Sequence, residues 1–129
     1  MSASLERPVE HRLVQTPAYL RAEFTFGTVT ENAELFRALA VACLERQIRR
    51  VLVAAGDDDP ADERALRDAL AIMVLAGLAE GFRLAVVAAK PRVAHAYRNF
   101  QRDMSAAGVA TRLFESEDDA VRWLEDTQD

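Results

Sequence analysis

Two short, nearly continuous apolar runs, Arg50 to Ala55 and Phe82 to Ala89, are set between longer segments whose apolar residues recur at helical spacing. This alternation limits the fold more than any other feature of the chain. A run of strand length without polar alternation is apolar on both of its faces, so both faces must be covered, the usual condition of a strand in a parallel sheet. Parallel neighbours cannot be joined by a tight turn and need a crossover, most often a helix. Strands that alternate with amphipathic helices therefore point to an α/β domain.

The remaining segments complete the pattern. His11 to Thr16 reads as a short strand, and Pro17-Ala18 offers a turn into a run from Tyr19 to Val29. There Leu20, Ala22, Phe24 and Phe26 alternate with Arg21, Glu23 and Thr25, the period of a half-solvated antiparallel strand. Thr30 is placed to cap a first helix with Glu31 and Glu34 in its first turn, and Phe36, Leu39, Ala40 and Cys43 share its apolar face opposite Glu34, Arg37 and Glu45. Asp59 and Pro60 start a second helix that runs to about Glu80 and stops at Gly81. Pro91 starts a third, ending at Gly108, with Val93, Tyr97, Phe100 and Met104 on its core face. Val109 to Phe114 forms a last strand, and Ser116 caps a final helix with Ala120 and Leu124 turned inward. The expected fold is an α/β domain with a mixed sheet of about five strands, an antiparallel hairpin followed by parallel strands, and four helices.

A chain of 129 residues suits one domain, here 1–129 with residues 1–10 as a flexible N-terminal segment. Its 21 acidic and 16 basic residues give a net charge of -5, without the continuous basic stripe that nucleic-acid phosphates require. No stretch approaches the length of a membrane span or a signal peptide, so the expected location is the cytoplasm. The single cysteine, Cys43, excludes an intramolecular disulfide and a cysteine-rich zinc site; in mid-stripe on an apolar face it reads as a buried small hydrophobe.

The order of elements and the residues at its joints are similar to the STAS family, the sulfate-transporter and anti-sigma-factor-antagonist domain, in its bacterial sporulation-antagonist-like branch. The likeness covers Tyr19 to Glu125. It rests on Thr30-Glu31-Asn32-Ala33-Glu34, on Val51-Leu52-Val53, and on the ending Phe114-Glu115-Ser116-Glu117-Asp118-Asp119-Ala120-Val121-Arg122-Trp123-Leu124. It implies a regulatory module that works by partner contact. In anti-sigma-factor antagonists a phosphorylatable serine in an Asp-Ser pair follows the third strand; the matching stretch here, Ala55-Gly56-Asp57-Asp58-Asp59-Pro60, holds no hydroxyl. The resemblance therefore implies contact without that phosphorylation switch.

Ligands of open α/β sheets bind beyond the carboxyl ends of the strands, which singles out Asp57, Asp58, Lys90 and Arg92 as candidate ligand-binding residues. Asp57-Asp58-Asp59 reads as a capping loop rather than a cation site, because Asp59 is used as a cap and no further acidic ligand is evident. The acidic pair and Lys90-Pro91 do not make a phospho-receiver site, since only one helix separates their strands. His95, Arg98 and Arg102 form a basic stripe on the outer side of the third helix, near Arg92, and read as a solvated face. His95 and His11 have no identifiable catalytic partner, so neither an enzyme, a metal nor a cofactor is expected. The second helix is unusual. Opposite its core face of Leu66, Leu70, Met73 and Val74 it carries Ile72, Leu75 and Ala79 at i, i+3 and i+7, so it is covered on two sides. The second cover is either another part of the domain or a protein partner, a homodimer included. A carrier of a small lipid-like ligand is the alternative, with Phe24, Phe26, Phe36, Tyr97 and Phe100 lining its pocket.

Overall fold

The computed structural model describes residues 13–24, 29–56, 71 and 81–126. Strand β1 (Leu13–Gln15) pairs antiparallel with β2 (Leu20–Phe24), Leu13 opposite Ala22 and Gln15 opposite Leu20. Thr16 organises the turn between them: its hydroxyl accepts from the N–H groups of Ala18 and Tyr19 at 3.2 and 3.0 Å and donates to the Tyr19 carbonyl at 2.9 Å. The turn thus depends on a side chain that imitates backbone pairing, as well as on Pro17. Both strands are shorter than expected. The run that reads as strand to Val29 is cut because Val29 already belongs to helix α1 (Val29–Arg46). Thr30 accordingly lies inside the first turn instead of capping it, and the capping position falls outside the described residues.

Strand β3 (Arg50–Ala55) runs parallel to β2, β4 (Arg83–Ala88) parallel to β3, and β5 (Ala110–Phe114) parallel to β4. The sheet is mixed and five-stranded, and its spatial order is the chain order, β1-β2-β3-β4-β5. Helix α2 (Pro91–Ala106) joins β4 to β5, and α3 (Glu117–Glu125) follows β5. Three helices are formed among the described residues; the expected helix over 60–80 lies outside them, apart from helical, exposed Ala71.

A sheet laid down in order by right-handed crossovers places its connecting helices on one face. That face holds the larger core: Leu20, Ala22 and Phe24 of β2 with Val51, Val53, Leu84 and Val86, under Leu35, Leu39 and Cys43 of α1 and Val93, Tyr97, Phe100 and Met104 of α2. Of the expected inner faces, Leu39, Ala40 and Cys43 of α1 and Val93, Tyr97, Phe100 and Met104 of α2 are buried as read, while Glu34, Arg37 and Glu45 are exposed; the Phe36 side chain lies outside the described residues. On the opposite face α3 buries Ala120 and Leu124 against Leu52, Ala54 and Ala85. Beside this second core the guanidinium of Arg21 makes two 3.1 Å hydrogen bonds to the Glu117 carboxylate. Arg83 donates to the carbonyls of Trp123 and Asp126 at the C-terminal end of α3, at 2.8 and 2.7 Å, with its guanidinium over the Trp123 ring. Ser116 holds the N-cap position of α3 without the expected side-chain bond; the carboxylates of Glu117, Asp118 and Asp119 in the first turn favour the positive end of the helix dipole instead.

Both α1 and α2 end in a Schellman arrangement. In α2 the N–H of Val109 reaches the Met104 carbonyl and that of Gly108 the Ser105 carbonyl, with Gly108 at φ +91° and Met104 and Val109 buried. In α1 the N–H of Ile48 reaches the Cys43 carbonyl at 3.0 Å, and the left-handed position is filled by Gln47, at φ 55°, where glycine is usual.

Candidate functional site

The carboxyl ends of β4 and β5 lie side by side, yet the chain leaves them in opposite directions, from β4 into α2 on the large-core face and from β5 into α3 on the other. Where neighbouring strands release their connections to opposite faces, the connections diverge and leave a crevice above the sheet edge. A cleft of about 360 Å³ opens there. Its floor is the end of β4, Ala88 and Ala89. One wall is α2, through Pro91, Ala94, Arg98 and Gln101, spaced three, four and three apart on a single helical stripe beside the core stripe. The other wall is the end of β5, Leu113, Phe114 and Glu115. The Phe114 ring is held by the Trp123 ring, 5.8 Å away, and by the guanidinium of Arg112, 5.4 Å from its centroid.

Three polar side chains line this otherwise apolar cleft. Arg98 and Glu115 are exposed and Gln101 is partly buried; none of the three has a hydrogen-bond or ion-pair partner among the described residues. The lining thus offers one fixed positive charge, one negative charge and one amide on apolar surroundings.

Of the residues singled out from the sequence, Lys90 takes the N-cap position of α2 and Arg92 its first turn, both exposed and close to the cleft without lining it. Asp57 and Asp58 lie outside the described residues, as do Ile72, Leu75 and Ala79. His95 and Arg102 are exposed on the outer side of α2 as expected, whereas Arg98 of the same stripe turns out to border the cleft. Gln101 and Glu115 were not singled out. The signal for Gln101 is the 91-94-98-101 stripe, one step round the helix from the core stripe 93-97-100-104; for Glu115 it is the position directly after a parallel strand.

Cys43 is buried on the inner face of α1, and burial pushes its thiol up to about 11. The Arg21 guanidinium is held above its ordinary value by its hydrogen bonds to Glu117. Val41 and Leu44 on α1 and Val14 on β1 are half-exposed, apolar surface that the helical and strand patterns did not mark. Among the described residues no group of three or more His, Cys, Asp or Glu side chains is gathered to hold a metal ion, and no helix is long and apolar enough to cross a membrane. No protein-family model, curated protein or solved structure matches the chain.

Proposed function

We propose that this chain is a STAS-like regulatory or scaffold module of the four-helix type, cytoplasmic and without enzymatic activity, which acts by contact with a protein partner or a second copy of itself. The observation that carries this reading is the way the aromatic residues are used. A carrier for a lipid-like molecule needs Phe24, Tyr97 and Phe100 around a cavity. Instead they are 0, 1 and 3% exposed within one core cluster, Tyr97 and Phe100 edge to face at 6.1 Å, and none of them lines the cleft. A core packed this tightly leaves the surfaces as the working parts of the domain. The hairpin followed by parallel strands in chain order also fits the STAS resemblance. In this reading the contact runs through Ile72, Leu75 and Ala79 of the second helix, and the loop at Asp57 and Asp58 has no phosphorylation switch.

Native mass spectrometry and sedimentation velocity on the purified protein test the proposal. A dimer is expected, and Leu75→Glu should shift it toward monomer while the far-ultraviolet circular dichroism survives, since an unpaired charge in an apolar contact opposes association strongly. Loss of folding would assign Leu75 to the domain's own core and remove this contact face. A wild-type protein that is already monomeric would remove the homodimer.

A further inference from the structure

We propose that the cleft at the ends of β4 and β5 binds a small zwitterion of the amino-acid class with an apolar side chain, its carboxylate on Arg98 and its ammonium on Glu115. The argument begins with topology. The cleft sits where the connections of two adjacent parallel strands diverge, the place at which open α/β sheets take their ligands. At about 360 Å³ it falls at the small end of the range for ligand clefts, roughly 300–1,000 Å³. That suits a single small metabolite and not an acyl chain.

The lining selects among small metabolites by charge. Arg98 and Glu115 approach from different walls, one from α2 and one from the end of β5, and neither is already bonded to a partner among the described residues. A simple anion would be welcomed by Arg98 and repelled by Glu115; a simple cation would meet the reverse. A molecule that carries both charges at opposite ends of a compact head satisfies the two walls at once, and charge-assisted hydrogen bonds are the strong ones. Gln101, one turn from Arg98 on the same stripe, adds an amide that can donate to the carboxylate. The remaining lining is Ala, Pro, Leu and Phe114, so an apolar side chain meets apolar surface on the floor and on both walls, while the Phe114 ring itself packs with Trp123 on the α3 side of the sheet. This site uses none of the residues Ile72, Leu75 and Ala79 of the proposed partner contact, and either proposal can fail without the other.

Amide chemical-shift titration of the full chain with L-phenylalanine tests it. Two control compounds keep the aromatic body: 3-phenylpropionate lacks the ammonium, and phenethylamine lacks the carboxylate. Saturable shifts are expected at Ala89, Ala94, Leu113 and Glu115, with each control at least tenfold weaker. Arg98→Gln should weaken L-phenylalanine and 3-phenylpropionate but not phenethylamine, and Glu115→Gln should weaken L-phenylalanine and phenethylamine but not 3-phenylpropionate. Both side chains are exposed, so the variants should melt with the wild type. Equal affinity for all three compounds, shifts that do not saturate or lie elsewhere, or variants that bind as the wild type does would each overturn the proposal.

Discussion

Gln47 offers a direct test of how helix α1 is terminated. It stands at φ 55° in the left-handed position, with Ile48 completing the bond to Cys43 that closes the helix. A side chain with a Cβ in this conformation costs about 1–2 kcal/mol through its clash with the following carbonyl. Glycine has no such clash but loses more backbone entropy on folding, about 0.5–1 kcal/mol. The difference leaves Gln47→Gly more stable by about 0.5–1 kcal/mol. Gln47 is exposed, so no packing is lost with its side chain. For a domain of this size a gain of 1 kcal/mol raises Tm by about 3–5 °C. Urea unfolding at constant m, with thermal unfolding alongside, measures the change, and Gln47→Val serves as the opposite perturbation, since a β-branched residue tolerates φ > 0 least. The expected order of stability is Gly, then Gln, then Val. A glycine variant less stable than the wild type, or a valine variant equal to it, would refute the assignment of strain to this residue.

Two further outcomes follow from groups away from the cleft, buried Cys43 and half-buried Arg83. The raised thiol of Cys43 means that the folded protein keeps its proton to about pH 11 while the unfolded chain gives it up near pH 9; this contribution is complete below the unfolded value and is lost as pH rises through the folded one, so wild type should lose about 2 kcal/mol more than Cys43→Ala between those limits, and native Cys43 should resist thiol reagents at pH 8. Arg83→Lys removes the planar group that both bonds the end of α3 and covers Trp123, at an expected cost of about 1–2 kcal/mol. Trp123 is the only tryptophan, so its fluorescence reports whether α3 loosens; an unchanged emission maximum and unchanged stability would show that Arg83 does not hold the helix.

What the sequence determined by itself was the series of elements and the inner face of each one. Leu39, Ala40 and Cys43, then Val93, Tyr97, Phe100 and Met104, then Ala120 and Leu124 lie buried as their spacing required, because helical and strand periods are local properties of the chain. The hairpin with parallel strands after it was legible for the same reason. The termini of elements were less so: Thr30 and Ser116 have the chemistry of caps, but a cap also depends on where the chain enters the helix. Gln47 in a glycine position carries no signal of its own conformation, since the closing bond from Ile48 imposes it. Only the tertiary structure decided the pairing of Arg21 with Glu117, 96 residues apart, and the placing of α3 on the face opposite α1 and α2. The cleft depends on that placing. Arg98 was visible as part of an outward basic stripe, and Lys90 and Arg92 as residues near the right rim, but the facing of Arg98 by Glu115 arises only when β5 docks beside β4 and the chain then turns to the other side of the sheet.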